Sequence, residues 1–207
     1  MFLIDAAIGG GLTMNTVIKN ILSRRSIRNY SDTPVELELL RTIIDCGLHA
    51  PTGHNTQRVR LFVQTNHESL TAINAVIQRE LLAHKLTEND VMDFSVARAK
   101  TPNYHFIYHA PILISAVAPR DRANGMAECA AAVENMLLAA HSLGLGACWI
   151  NQPHWFTDVP ALRALFVPLG LTDDEVILAS LCVGHTNIDN PPVPSRKDGR
   201  IQSDISL

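Results

Sequence analysis

Three arginines lie close together near the start of the chain, at a spacing that suits the binding of a phosphate group. Arg24, Arg25 and Arg28 flank Ser26. A guanidinium donates hydrogen bonds in a planar fork that matches a phosphate, and a serine hydroxyl adds a neutral donor. The same residues also fit a solvated basic helix end, so the sequence leaves both interpretations open.

A second basic cluster lies near the other end of the chain, where Arg196 and Lys197 follow a proline-rich stretch. Taken alone, this pair is typical of a solvated surface. Two basic clusters from opposite ends can also converge on one phosphate, and only the tertiary structure decides between these possibilities.

A polar loop lies between a predicted helix and a predicted strand, with the sequence APTGHNTQ at positions 50–57. Asn55 and Gln57 each carry an amide donor and an amide acceptor, which can pair with the polar edge of a heterocycle. The same composition is also typical of an ordinary loop with Asx turns. Both interpretations stay open.

Two competing hypotheses invoke a catalytic cysteine and a metal. The segment around Cys148 resembles the nucleophile segment of papain-like proteases, but the expected preceding cysteine is absent and no histidine lies about 130 residues downstream. Its apolar surroundings favour a buried thiol, and retained activity of Cys148→Ala would exclude the hydrolase. His105 and His109 are four residues apart, but no glutamate follows the first, as the zinc-hydrolase pattern requires. We therefore predict no metal site, which stoichiometric zinc would contradict.

The elements that must position these residues follow from hydrophobic periodicity, which predicts one α+β domain rich in helix. Helices are predicted over residues 16–23, from 33 to before 50, and over 67–84, 126–143 and 158–166. Strands are predicted over residues 58–65, 112–118, 147–151 and 176–183. Residues 86–104 lose periodicity, and a connection this long is expected to cover a site.

Two of the predicted helices carry more specific signals. The second opens at a Thr33–Glu36 capping box and is expected to turn one face to the core; that face consists of Leu37, Leu40, Ile44 and Leu48. The helix over 126–143 is rich in alanine and is expected to be buried nearly all round.

The composition of the chain limits the classes of protein to which it can belong. The 207 residues suit a single domain over 16–207, preceded by a loose extension over 1–15. Hydrophobic residues make up 47% of the chain and charged residues 18%, an apolar excess that a subunit interface would bury. The net charge of −3 argues against a nucleic-acid partner, and no apolar run reaches the ~18 residues that span a bilayer. Four widely spaced cysteines favour free thiols in a reducing compartment, so we expect a cytoplasmic protein without a membrane partner.

Four ordered blocks resemble the nitroreductase family, and together they span nearly the whole chain. They are Arg24–Tyr30, the loop 50–57, the segment Leu143–Ile150 that ends the alanine-rich helix, and Gly184 with Pro194–Lys197. One departure is visible. Many members follow the Asn-x-Gln loop with Pro-Trp, where this chain has Arg58-Val59.

The resemblance implies an α+β fold with a central mixed or antiparallel sheet flanked by helices, in a swapped homodimer with FMN at each subunit interface. It implies an oxidoreductase that uses NADH or NADPH to reduce a nitro compound, a quinone or a similar small electrophile by a ping-pong mechanism. The flavin carries the chemistry, so no catalytic side chain is required. The alternatives are a flavin reductase and a non-catalytic flavin-binding protein of the same fold.

The resemblance also assigns residues to the flavin. Arg24, Ser26 and Arg196 would hold the phosphate end, with Arg25 and Lys197 beside them, and Arg28 would lie at the pyrimidine side of the ring. Asn55 and Gln57, in the loop with Pro51 and Thr52, would bind the polar edge of the ring. Ile150 and Asn151 would face its N5 side, and Gly184 belongs to the fourth block.

Overall fold

The centre of the molecule is a four-stranded antiparallel sheet in the order β1-β2-β4-β3, seen in a computed structural model that describes residues 15–188 and 191–205. The strands are β1 (Arg60–Gln64), β2 (Ile112–Pro119), β3 (Gly146–Ile150) and β4 (Glu175–Gly184). One parallel bridge joins Ser26 to Ala147 at the outer edge of β3. The α+β class and the sheet flanked by helices are thereby confirmed.

Seven α-helices occur in the described part of the chain. They are α1 (Thr16–Ser23), α2 (Leu37–Leu48), α3 (His67–Ala83), α4 (Asp93–Ala99), α5 (Gly125–Ser142), α6 (Gln152–Trp155) and α7 (Pro160–Ala164). The sequence patterns predicted α1, α3 and α5 to within about two residues. Helices α4 and α6 were missed, because one turn or two of helix is too short to show a periodicity.

Hydrophobic residues pack against both faces of the sheet and form two cores. On one face, Leu113 and Val117 of β2 pack among side chains of α3, α4 and α7. On the other face, Ile112 and Ile114 pack against α2 and α5. Because helices cover both faces, β2 and β4 are buried along almost their whole length, which explains their nearly continuous apolar sequences.

The predicted capping box of α2 is wrong. The helix begins at Leu37, and Glu36 occupies the N-cap position without a side-chain cap. The Glu36 carboxylate instead pairs with His185, with 3.1 Å between Oε2 and Nε2. The carboxylate that the local pattern assigned to the helix start therefore forms a tertiary contact instead.

The predicted core face of α2 is also partly wrong. The buried residues are Leu40, Ile43 and Gly47, whereas Leu37 and Leu48 are more than half exposed. Gly47 sets the orientation, because a Cβ at this position would stand 2.8 Å from Cγ of Met136 in α5. The helix therefore turns Gly47 toward α5 together with Leu40 and Ile43, and leaves Leu37 and Leu48 exposed. The predicted extension over residues 1–15 lies, except for Asn15, outside the described residues.

Candidate functional site

The first basic cluster is positioned by the docking of α1 on the C-terminal half of α5. The Asn20 amide donates to the carbonyl of Leu138 at 3.0 Å, and the Ser23 hydroxyl lies 2.8 Å from His141 Nε2. Arg24 follows directly as the C-cap of α1, with its Nε 3.8 Å from a carboxylate oxygen of Glu134. The arginines therefore leave the end of a helix that is itself tied to the core.

The segment after Arg24 lies along the edge and ends of the sheet. Ile27 donates a backbone hydrogen bond to the carbonyl of Ala147 at 2.9 Å, and Ser31 donates to the carbonyl of His185. Between them, the Tyr30 hydroxyl donates to the Ile27 carbonyl at 2.6 Å and lies 3.2 Å from Cys182 Sγ. These contacts fix the backbone that carries Ser26 and Arg28.

Arg25 is the residue at which the two ends of the chain meet. Its guanidinium donates to the carbonyls of Leu22 and Arg24, and its Nε donates to the carbonyl of Pro192 in the tail at 3.3 Å. Burial lowers the pKa of Arg25, and the positive charges of Arg196 and Arg24 lower it further. The second guanidinium nitrogen, Nη2, is buried without a hydrogen-bond partner among the described residues. An anion is the group that would satisfy this donor and offset the three charges.

Gly184, at the end of β4, packs against the segment that carries Tyr30. It is buried, and a Cβ added to it would stand 2.7 Å from Cδ of Pro111 and 2.9 Å from Cδ1 of Tyr30. The position therefore serves the close packing of the Tyr30 segment on the end of β4, which is how we interpret its place in the fourth block.

We expect Gly184→Ala to lower the free energy of unfolding by about 1–3 kcal/mol, because the methyl group overpacks the contact with Pro111 and Tyr30. Displacement of Tyr30 would also shift Arg28. Thermal unfolding measures the first effect, and FMN titration of the same variant measures the second. A variant with wild-type stability would show that the Tyr30 segment moves aside freely.

Arg28 points toward the region under the predicted cover. Its guanidinium lies 5.8 Å from the centre of the Tyr108 ring, and its charge acts on the Cys148 thiol. Cys148 is almost fully buried, and burial raises its pKa in spite of Arg28. A catalytic thiolate needs a lowered pKa, so the structure agrees with a core thiol.

The polar loop has an unusual backbone. His54, Asn55 and Gln57 all lie in the left-handed region, with φ of 56°, 53° and 50°. The Gln57 side-chain amide donates to the side-chain oxygen Oδ1 of Asn55 at 3.1 Å, and both side chains are exposed. The Gln57 backbone N–H donates to the Thr52 hydroxyl at 3.0 Å. The Pro51 ring, at the start of the loop, is exposed. Left-handed non-glycine residues cost free energy and persist only where the surroundings hold them, which is frequent at functional sites.

A buried ion pair holds this loop, and the sequence analysis missed it. Glu128 accepts from the Gly53 N–H at 2.8 Å and from Arg122 Nη2 at 2.6 Å. Arg122 also donates to the Gly53 carbonyl and, at 2.7 Å, to the Thr56 hydroxyl. One signal in the sequence could have indicated this pair, namely the carboxylate of Glu128 in the first turn of the otherwise apolar helix α5. A charge in such a buried position is normally paired with an opposite charge.

The two groups of predicted site residues are anchored at opposite ends of α5. The loop binds Glu128 in the first turn, whereas α1 binds Leu138 and His141 in the last two turns. Ten to thirteen helical residues separate these anchors by roughly 15–20 Å along the helix axis. No hydrogen bond or ion pair joins Arg24 or Ser26 to the loop in the described part of the chain.

The third group lies at the end of β3. The Ile150 side chain is buried, and Asn151 is exposed and accepts from the Trp149 indole at 2.6 Å. Directly after it, the Gln152 amide donates to the Ser95 hydroxyl of α4 at 3.4 Å. The connection after α3, which the sequence analysis expects to cover a site, therefore contacts the segment that follows β3.

His105, directly after the predicted cover over 86–104, gives the stability of the fold a pH dependence. Burial, with smaller contributions from His109 and His67, lowers the pKa of His105 from 6.5 to about 4. The unfolded chain takes up this proton near pH 6.5 and the folded chain only near pH 4, so stability falls as the pH falls through that window. We expect the Tm of His105→Gln to fall less than that of the wild type between about pH 7 and about pH 4.5. Equally steep curves would contradict this assignment.

Within residues 15–188 and 191–205, no group of three or more histidine, cysteine, aspartate or glutamate side chains is placed to hold a metal ion. Over the same residues, every helix is too short or too polar to cross a bilayer.

Comparisons with known proteins agree with the fold. The chain is 28% identical to an NADPH-flavin oxidoreductase of Vibrio harveyi over 185 residues, which are 88% of this chain and 70% of the relative. A nitroreductase from Bacteroides fragilis, solved with bound FMN, superposes with a TM-score of 0.81 at 27% identity, covering 92% of this chain and 99% of that one. A nitroreductase from Desulfitobacterium hafniense shares the fold with a TM-score of 0.79 at 24% identity, covering 93% of this chain and 100% of that one. The sequence model of the Nitroreductase family matches residues 21–185, four-fifths of the chain, and the chain therefore belongs to the nitroreductase family.

Proposed function

We propose that the protein is an FMN-dependent oxidoreductase that takes electrons from NADH or NADPH and reduces a nitro compound, a quinone or a similar small electrophile. The observation that carries this proposal is the Arg25 guanidinium, on which the charges of Arg24 and Arg196 act and whose Nη2 is buried without a hydrogen-bond partner among the described residues. The FMN-bound nitroreductase from Bacteroides fragilis and the flavin oxidoreductase from Vibrio harveyi support the choice of ligand.

The residues present fit the phosphate end of FMN. Three positive charges from both ends of the chain suit a dianion, and Arg25 Nη2 is a buried donor in need of an acceptor. The exposed Ser26 adds a hydroxyl at the start of the parallel bridge to β3. We propose Arg24, Ser26 and Arg196 as the phosphate-binding residues, with Arg25 and Lys197 beside them.

Bound FMN would supply the hydride and electron transfer, so the chain's own task is to bind, orient and polarise. Arg28 is proposed to place its cation at the pyrimidine side of the ring, where negative charge develops on reduction. The amides of Asn55 and Gln57, which pair with each other here, are proposed to turn to the ring's polar edge. Backbone groups of Ile150 and Asn151 would face the N5 side.

The geometry favours a site shared by two subunits in a homodimer. The loop with Asn55 and the cluster with Arg24 are held at opposite ends of α5, so one chain does not bring them together. Apolar side chains on α1 and α2 are exposed and offer the surface for a partner; they are Val17, Ile18, Ile21, Leu22, Leu37 and Leu48. We also propose that the two subunits exchange segments and that residues 16–207 form a single domain.

A ping-pong mechanism completes the proposal. The chain has no G-x-G-x-x-G fingerprint for a separate dinucleotide site. NAD(P)H and the acceptor would therefore use the same open face above the end of β3, one after the other, with the residues 86–104 as its cover.

The visible spectrum of the purified protein, with FMN added if needed, tests the proposal. We expect yellow protein that NADH or NADPH bleaches without oxygen and that a quinone or nitroaromatic restores. Protein that takes up no FMN would overturn the proposal. Protein that binds FMN but is bleached by neither nicotinamide would favour the non-catalytic flavin-binding alternative, and bleaching restored only by free flavin would favour a flavin reductase.

A further inference from the structure

A small polar pocket lies between α4 and the end of β3, outside the residues assigned to the flavin. Its lining includes Phe94, Ser95, Arg98, Tyr104, Tyr108 and Gln152. The cavity measures about 10 Å³, which is room for one water or one oxygen atom of a ligand. The pocket therefore accepts a single polar atom, while the rest of any ligand must lie outside it.

Arg98 is the charged wall of this pocket. Its guanidinium lies 4.9 Å from the centre of the Tyr108 ring and 6.0 Å from that of Phe94. It forms no ion pair with any described residue, although seven such pairs occur elsewhere in the described chain. Its cation is held by aromatic faces, which attract it but leave its hydrogen-bond donors free.

Tyr104 supplies a second free donor. The residue is 8% exposed, and its hydroxyl is buried without a hydrogen-bond partner among the described residues. Burial raises the pKa of Tyr104, so the hydroxyl keeps its proton. Arg98 and Tyr104 line the same pocket, which places the guanidinium and the hydroxyl close together. Neither of these donors has an acceptor among the described residues, so the pair is complementary to an anionic oxygen.

The pocket adjoins the proposed flavin site. Tyr108 lies between Arg98 and Arg28, whose guanidinium is 5.8 Å from the same ring. On the other side, the bond from Gln152 to Ser95 joins the pocket to the end of β3, next to Asn151. Phe94, which is 65% exposed, adds an aromatic surface at the rim. A flat substrate above the end of β3 would therefore reach the pocket with a substituent.

We propose that Arg98 and Tyr104 form a specificity subsite for aromatic electron acceptors that carry a carboxylate or a similar oxyanion. One oxygen of the anion would enter the pocket between the guanidinium and the Tyr104 hydroxyl, while the aromatic ring lies against Phe94 and Tyr108. This inference rests on the proposed function, since it names the acceptor class of the same site.

The test compares two acceptors that differ in charge but scarcely in shape, 4-nitrobenzoate and 4-nitrobenzamide. We expect the wild-type FMN-loaded enzyme to have the higher kcat/KM for the carboxylate. Arg98→Gln should lower kcat/KM for 4-nitrobenzoate about 10- to 100-fold and change that for 4-nitrobenzamide less than about threefold. Arg98→Lys should restore part of the loss, because it keeps the charge but lacks the fork.

Two further variants sharpen the test. Tyr104→Phe removes only the hydroxyl and should lower kcat/KM for the carboxylate about three- to tenfold, with little effect on the amide. Lys100→Gln is the matched control, because it removes one exposed charge at the end of the same helix but does not line the pocket. It should leave the ratio of the two acceptors unchanged.

Three results would overturn the subsite. Equal losses for both acceptors in Arg98→Gln would indicate a structural role, and the absence of any loss would show that the pocket receives no substrate. A rise in KM for NADPH alone would show that Arg98 binds the dinucleotide phosphate. Each of these leaves the proposed function intact, whereas protein without FMN uptake or NAD(P)H oxidation would remove the proposed function and the subsite together.

Discussion

Arg24→Ala should weaken FMN binding by about 1.5–3 kcal/mol, which is roughly a 10- to 150-fold rise in Kd. The arginine leaves the end of α1 beside Arg25, whose buried Nη2 has no acceptor within residues 15–188 and 191–205, and the charge of Arg196 acts on the same guanidinium. A phosphate bound there makes charge-assisted hydrogen bonds that alanine cannot replace. Fluorescence titration of free FMN, which measures the unbound flavin, gives the affinity directly.

The fold itself should tolerate this substitution. In the ion pair between Arg24 and Glu134 the charged atoms are 3.8 Å apart, and the Glu134 side chain is half exposed. Such exposed pairs contribute less than about 1 kcal/mol to stability. Arg79→Ala is the matched control, because it removes a surface arginine paired with Glu80 on α3, across the sheet. Unchanged FMN affinity in Arg24→Ala, or an equal loss in the control, would show that Arg24 is merely solvated.

A double-mutant cycle extends this prediction to the tail. If Arg24 and Arg196 bind one phosphate, removing both should cost less than the sum of the single losses, because each single variant already weakens the hold on the shared group. Strictly additive losses would place the two arginines on separate groups.

A mixed dimer should regain about half of the flavin that its two parent variants have lost. One parent carries Arg24→Ala with Arg196→Ala, and the other carries Asn55→Ala with Gln57→Ala. If each site takes its phosphate-binding residues from one subunit and its ring-binding loop from the other, the heterodimer has one intact site and one site with both defects. The physical basis is the anchoring of the two groups at opposite ends of α5.

The experiment uses two differently tagged chains that are co-expressed, and the heterodimer is isolated through both tags. Bound FMN per dimer is then read from the visible spectrum. A heterodimer as poor in flavin as both parents would show that each site is built within one chain. A heterodimer from the phosphate variant and wild-type chains serves as the reference for one defective site.

The sequence by itself determined the regular elements and the basic cluster that we propose for the phosphate. The helices α1, α3 and α5 and the strands β2 and β4 follow from periodicity and length, because these signals are local and each element buries one continuous surface. The Arg-Arg-Ser-x-Arg motif at Arg24–Arg28 and the loop over 50–57 are visible for the same reason, since each is a short run of chemically distinctive residues. The order of the blocks then points to the family.

The tertiary structure decided how these pieces face one another. Gly47 leaves Leu37 and Leu48 of α2 exposed, because two helices approach closest where a side chain is missing, and no periodicity reports that approach. Glu36 pairs with His185, 149 residues away, so the local capping pattern loses its carboxylate to a distant partner. Both corrections come from contacts that are close in space and far apart in sequence.

The same reason explains which parts of the site stayed hidden. Arg122 and Glu128 hold the strained loop, and Arg98 and Tyr104 line the pocket at the end of β3, yet none belongs to a recognisable motif. Their contacts, or in Tyr104 the buried hydroxyl without a partner among the described residues, exist only once the chain is folded. The sequence therefore determined which residues we propose for the phosphate, and only the folded structure decided what holds the loop and which acceptor class we propose.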